Sequence, residues 1–186
     1  MKNLESSFRA LRVLHTAKDL FTQNGFNKVG VDRIIAEANI PKATFYNAFH
    51  SKERLIERCL IFQKDALKDK VISILYSYNE LMVLDKLKQI YLLHTNLNGL
   101  YYLLFKAIFE IKTLYPMAYR IAIEYRTWLV NEIYKLLLTV KTEASVDDAR
   151  MFLFIVDGGM IQLLSKNQTS EQDKLVEYFL LMMSKR

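Results

Sequence analysis

Residues 29–55 read VGVDRIIAEANIPKATFYNAFHSKERL, and this stretch decides the fold. Val31, Ile34, Ile35 and Ala38 recur at helical spacing, which predicts a short helix over about 31–38. Asn39 ends it, because asparagine is second only to glycine in accepting a left-handed backbone position. Pro41 suits the first turn of the next helix, about 41–49, where its missing N–H costs nothing. Ser51 is placed to cap a much longer helix, with Glu53 and Glu57 near its positive end and Lys64, Lys68 and Lys70 further along. Two short helices joined by a tight turn have the dimensions of a helix-turn-helix. In that motif the second helix enters the major groove while the first braces it across the backbone.

Working outward, Leu11, Leu14, Ala17, Leu20 and Phe21 predict a helix over about 4–24, stopped by Gly25. Beyond residue 70 the helices lengthen and the chain becomes aromatic, with 16 of its 23 aromatic residues there. Helices are expected at about 52–77, 80–95, 100–114, 116–140, 146–165 and 171–184, separated at Asn96–Gly99, Pro116, Thr142–Ser145 and Asn167–Ser170. The expectation is an all-α chain of about nine helices. Residues 1–52 form the helix-turn-helix domain and 53–186 a larger helical bundle. Composition agrees, since five Gly and two Pro in 186 residues are too few for a hairpin-rich fold. A hydrophobic share of 52% is ample for a core. One Cys excludes a disulfide framework, and three scattered His offer no zinc-ligand spacing, so neither metal nor cofactor is expected.

Charge is unevenly spread. Residues 1–70 hold 13 Lys and Arg against 8 Asp and Glu, whereas residues 71–186 hold 13 against 12. A basic segment beside a neutral one suits an anionic partner for the basic part, although an ordinary solubilising surface would look the same. The segment from Met1 to Leu14 lacks an apolar signal core, and the longest uncharged run, Gln89–Phe105, is too polar for a bilayer. A cytoplasmic protein that binds no membrane is therefore expected, nucleoid-associated when on DNA.

The second short helix has the composition of a groove reader. Ile40, Phe45 and Phe49 supply its inward side. Lys42, Ala43, Thr44, Tyr46 and Asn47 leave a polar, sterically modest outer side. Lys42 can reach a guanine edge or a phosphate, and Asn47 can pair with an adenine edge. The hydroxyls of Thr44 and Tyr46 suit phosphate oxygens. Lys52, at the start of the long helix, can hold a further phosphate beside backbone N–H groups. Any three-helix globule would show similar spacing, so spacing alone leaves DNA binding open.

The residues themselves go further. Val13-Leu14, Ala17, Leu20-Phe21, Gly25-Phe26, Val31, Ile34, Ala38, Ile40, Thr44-Phe45-Tyr46, Phe49, Ser51-Lys52-Glu53 and Leu55 together resemble the N-terminal domain of the tetracycline-repressor (TetR/AcrR) family over about residues 9–56. The resemblance implies a homodimeric transcriptional regulator, usually a repressor, on a pseudo-palindromic double-stranded operator. It also implies a small-molecule effector bound by the C-terminal bundle. Within it, Lys28 and Arg33 join Lys52 as candidates for phosphate or groove contacts, and His50 reads as a loop residue. The chain departs from the family at Gly30, Ile35, Asn39, Pro41 and Ala43, which bears on the operator sequence rather than on DNA binding.

In the bundle, Met151–Val156 is apolar on every face, which predicts burial all round against its own bundle and a second subunit. Gly158 and Gly159 permit close helix approach. The expected dimer contact is Phe152, Ile155, Gly158, Gly159, Leu163, Leu175, Phe179 and Met182. The expected effector site, for a lipophilic ligand, draws on Tyr91, His94, Asn98, Tyr101, Phe105, Tyr125 and Trp128, with Glu124 as a further polar anchor. An aromatic stripe at helical spacing is also what a plain core looks like. No Glu-x-x-His pairing or Ser-His-Asp arrangement is readable, so an enzyme is not expected. The remaining alternative is a DNA-binding adaptor of the same fold, its bundle recognising another protein.

Overall fold

The computed structural model describes residues 2–76, 82–165 and 171–184. Among the described residues there are nine α-helices and no strand. They are α1 (Lys2–Asn24), α2 (Val31–Glu37), α3 (Lys42–Phe49), α4 (Lys52–Leu75), α5 (Val83–His94), α6 (Leu100–Glu110), α7 (Pro116–Leu138), α8 (Val146–Leu164) and α9 (Glu171–Ser184). The expected elements are all present. The break at Asn167–Ser170 lies outside the described residues. The largest boundary difference is α6, which ends at Glu110 rather than near 114. Pro116 disfavours helical backbone at Tyr115, and residues 111–114 turn instead.

The chain divides into two compact units, Met1–Asp65 with Leu103–Ile123, and Ala66–Tyr102 with Glu124–Arg186. In the first unit α1, α2 and α3 pack on one another. Val13, Ala17, Leu20, Phe21, Phe26, Ile34, Phe45, Phe49, Leu55 and Ile56 are buried there. Phe21 and Phe26 stack with ring centroids 5.2 Å apart. Gly25 makes this possible: at φ +83° it turns the chain directly after α1, and a Cβ there would come within 2.8 Å of a Glu110 carboxylate oxygen. That carboxylate accepts from the Phe26 N–H at 2.8 Å, and Lys106 Nζ donates to the Thr22 carbonyl at 2.9 Å. The last turn of α6 thus caps the end of α1 with a cation and the turn after it with an anion. Cys59 is buried here, and burial pushes its thiol well above the ordinary range, which leaves it inert as a nucleophile.

In the second unit α8 starts on a capping box. The Ser145 hydroxyl accepts from the Asp148 N–H at 3.2 Å, and the Asp148 carboxylate accepts from the Ser145 N–H at 2.8 Å. That backbone bond holds the Asp148 carboxyl below its ordinary range. Phe152, Leu153, Val156, Gly159 and Met160 point into the bundle, and Val176 and Phe179 of α9 join them. α8 is therefore not buried all round. Met151, Phe154 and Ile161 are more than half exposed.

Candidate functional site

The recognition segment is built by two left-handed residues. Asn39, at φ 48°, follows α2, and His50, at φ 62°, follows α3. Asn39 takes its position as its residue type predicts. Arg12 of α1 donates to the Asn39 carbonyl at 3.0 Å and ties the turn to the bracing helix. α3 begins at Lys42, with Pro41 as the preceding cap residue. Gly30 precedes α2 without any side-chain cap. Ser51 caps α4, its hydroxyl accepting from the Arg54 N–H at 3.1 Å.

Ile40, Phe45 and Phe49 are buried and fix the rotation of α3 about its own axis. Lys42, Ala43, Tyr46 and Asn47 consequently face outward, with Thr44 half-buried beside them. These are the five residues read from the sequence as the outer face. Lys28 and Arg33 are exposed on the adjoining turn and on α2. Lys52 is half-buried, its ammonium 5.6 Å from the centroid of the Tyr115 ring.

Sequence reading missed that two of these cations have partners of their own. Lys42 Nζ lies 3.0 Å from Asp32 Oδ1, and Arg33 Nε donates to Glu37 Oε1 at 2.8 Å. The hydrogen bond to Asp32 raises the Lys42 ammonium above its ordinary value. The Arg33–Glu37 pair has the i, i+4 signature of a helix face. The Asp32–Lys42 pair spans a turn and carries no such signature.

In the second unit the expected effector residues meet only in part. His94 is fully buried, and its Nδ1 donates to the Ile90 carbonyl at 2.6 Å. A carbonyl can only accept, so the neutral ring leaves Nε2 to accept from the Tyr125 hydroxyl, also at 2.6 Å. Burial pushes the His94 imidazole down to about 4. Tyr101 packs against His94 at 4.8 Å between ring centroids, and Trp128 lies 5.6 Å from Tyr125. Burial raises the hydroxyls of Tyr101 and Tyr125. Asn98 and Glu124 are exposed and stand outside this cluster, and Phe105 belongs to the first unit.

The cluster ends in an ion pair that the sequence reading did not single out. Arg126 donates to both Asp157 oxygens, Nη1 at 2.7 Å, and also to the Tyr101 hydroxyl. Both side chains are about one-fifth exposed, at 17% and 21%. Burial opposes the Arg126 charge, but the Asp157 carboxylate outweighs it and keeps the guanidinium protonated. A signal existed: Asp157 is the one charge among the apolar residues from Met151 to Leu164 of α8. A carboxylate so placed requires a partner.

Of the residues expected at a dimer contact, Phe152 and Phe179 pack against each other inside the bundle, their tilted rings 5.9 Å apart between centroids. Gly159 is buried because the Tyr91 hydroxyl and Thr95 Cγ2 each stand 2.7 Å from where a Cβ would be. Ile155 and Leu163 are half-buried, Gly158 and Met182 are exposed, and the Leu175 side chain lies outside the described residues. Met151, Phe154, Gly158 and Ile161 instead form an outward stripe on α8, with Tyr178, Leu181 and Met182 exposed on α9. No helix of the described residues is long and apolar enough to cross a membrane.

Residues 13–59 match the family model of bacterial regulatory proteins, tetR family. An uncharacterised HTH-type transcriptional regulator of Bacillus subtilis, YuxN, is 36% identical over 62 residues, which are 33% of this chain and 21% of that protein. The chain thus matches about a fifth of this curated relative's length. A TetR transcriptional regulator from Legionella pneumophila superposes with a TM-score of 0.76 at 20% identity, covering 92% of this chain and 94% of its own. A transcriptional regulator from Saccharomonospora viridis, in complex with choline, gives a TM-score of 0.73 at 18% identity over 93% of this chain and 94% of its own. The matched stretch contains the turn, the two helices and the capped start of α4 just described, and the fold shared with these regulators extends over nearly the whole chain. Residues 13–59 thus carry a DNA-binding domain of the tetR family of bacterial regulatory proteins.

Proposed function

We propose that the protein is a homodimeric DNA-binding transcriptional regulator, a repressor whose operator binding responds to a small lipophilic ligand held by the second unit. The observation that carries the DNA-binding part is α3. Phe45 and Phe49 anchor it, and Lys42, Ala43, Tyr46 and Asn47 are turned to solvent. A helix so rotated offers donors and small side chains to the major groove. Lys42→Ala and Asn47→Ala are each expected to cost about 1–3 kcal/mol of base discrimination. Competition gel shifts against the operator and a scrambled duplex measure this. Unchanged discrimination in both variants would remove α3 from the interface. Affinity is also expected to fall steeply between low and high salt, as phosphate contacts release counterions.

The homodimer reading is supported by the apolar stripe of Met151, Phe154 and Ile161 beside exposed Leu181 and Met182. The open surface at Gly158, where a Cβ would meet nothing within 4 Å, suits close approach of a second helix. A patch of this kind on a soluble protein marks an interaction surface. Phe154→Glu is expected to give monomers at micromolar concentration by light scattering and to abolish tight operator binding. A monomeric wild type would end the reading.

The effector reading is supported by the aromatic cluster around His94 and by the choline complex of the Saccharomonospora relative. A ligand at 100 times its dissociation constant should stabilise the protein by about 2.7 kcal/mol. Thermal shifts with choline and with uncharged aromatic compounds test it. A second reading, an adaptor with a protein partner, is favoured by exposed Leu11, Ile61 and Phe62 around an open groove of about 760 Å³ in the first unit. No stabilisation by any small compound, with operator binding intact, would favour that reading.

A further inference from the structure

The Asp32 carboxylate sits in the first turn of α2, and the Lys42 ammonium on the first residue of α3. They meet at 3.0 Å with side chains 85% and 62% exposed. An exposed pair of this kind contributes little to folding. Its position beside Ala43, Tyr46 and Asn47 is better explained by what it presents outward. It offers a donor and an acceptor side by side.

Base-pair edges in the major groove carry complementary patterns. A G·C pair shows two adjacent acceptors, guanine N7 and O6, followed by the cytosine N4 amino donor. An A·T pair splits its two acceptors around the adenine amino group. An ammonium bridging adjacent acceptors beside a carboxylate that accepts from an amino group therefore matches G·C. The carboxylate is also repelled by phosphates, which leaves the base edge as its natural partner on DNA. We propose that Lys42 and Asp32 act as one composite reader of a G·C pair, with Asp32 as a specificity-determining residue. The proposal rests on the DNA-binding reading above.

The pair has a second consequence. On DNA without that base pair, Asp32 keeps its hold on Lys42 and repels the backbone, so sequence-independent affinity is held down. Arg33, countered by Glu37 on the same helix, is restrained in the same way.

The test is selection of duplexes from a randomised library by the full chain, comparing wild type, D32N, K42M and the double variant. D69N, at an exposed carboxylate of α4, reproduces the change in net charge. Wild type is expected to enrich sites with a fixed G·C pair. D32N and K42M should each relax preference at that same position by about 5–100-fold, and the double variant no further. D32N should admit A·T there, because an amide both donates and accepts. D69N should leave the position unchanged. The proposal is overturned if D32N and K42M relax different positions, if D32N raises affinity uniformly without changing base preference, or if D69N relaxes the same position. A wild type that enriches sites without a fixed G·C pair would overturn the composite reader alone, whereas failure to enrich any sequence would overturn the DNA-binding reading with it.

Discussion

Asp157→Ala is expected to cost about 3–5 kcal/mol of stability, the range for removing one partner of a buried ion pair. The substitution leaves the Arg126 guanidinium without its carboxylate, and the Tyr101 hydroxyl alone does not neutralise a charge four-fifths removed from solvent. Urea unfolding at pH 7 measures the loss as a lower midpoint at unchanged slope. Arg126→Met combined with Asp157→Leu should recover most of it, because a buried pair exchanged for apolar side chains of similar volume is often neutral or stabilising. A single-variant loss below about 1 kcal/mol would place the pair with exposed salt bridges, which contribute little.

Acidification is expected to remove roughly 3 kcal/mol through His94 alone. In the folded chain the imidazole is held down to about 4, while an unfolded histidine titrates near 6.5. Between these values the unfolded chain binds a proton that the folded chain does not, so stability falls as pH drops from about 6.5 towards 4. It is fully present above that window and levels off below it. His94→Gln keeps polar groups near Ile90 and Tyr125 but cannot titrate. The difference between wild type and this variant, in urea midpoints at pH 7.5 and 4.5, isolates the histidine from the carboxylates that titrate in the same range. Parallel pH profiles for the two proteins would show that His94 charges as freely folded as unfolded.

His94 and Asp157 also mark where reading the sequence reached its limit. His94 and Tyr125 were both legible as members of one aromatic-rich bundle, but their hydrogen bond joins residues 31 apart on two helices. Glu124 carries the same helical periodicity as its neighbours, yet it is exposed, as is Asn98 in the break before α6. Periodicity assigns a residue to a stripe without saying which stripe turns inward. On α8 every position from Met151 to Val156 is apolar, so its pattern held no information about rotation. Packing against α9 and α5 made the choice, taking Phe152 and Val156 inward and leaving Phe154 outside.

The sequence by itself determined the nine helices of the described residues, the turn between α2 and α3 and the outer face of α3. Each depends on residues within one or two turns of each other: Asn39 at the left-handed position, Pro41 before the helix, Phe45 and Phe49 one helical turn apart. Only the tertiary structure decided which charges pair between elements. Asp32 meets Lys42 across a turn, Arg126 meets Asp157 from another helix, and the α6 residues Lys106 and Glu110 cap α1 and its turn from more than 80 positions away. Local preferences set backbone conformation over a few residues. The partner of a polar side chain is chosen by whichever distant group packing brings within about 3 Å.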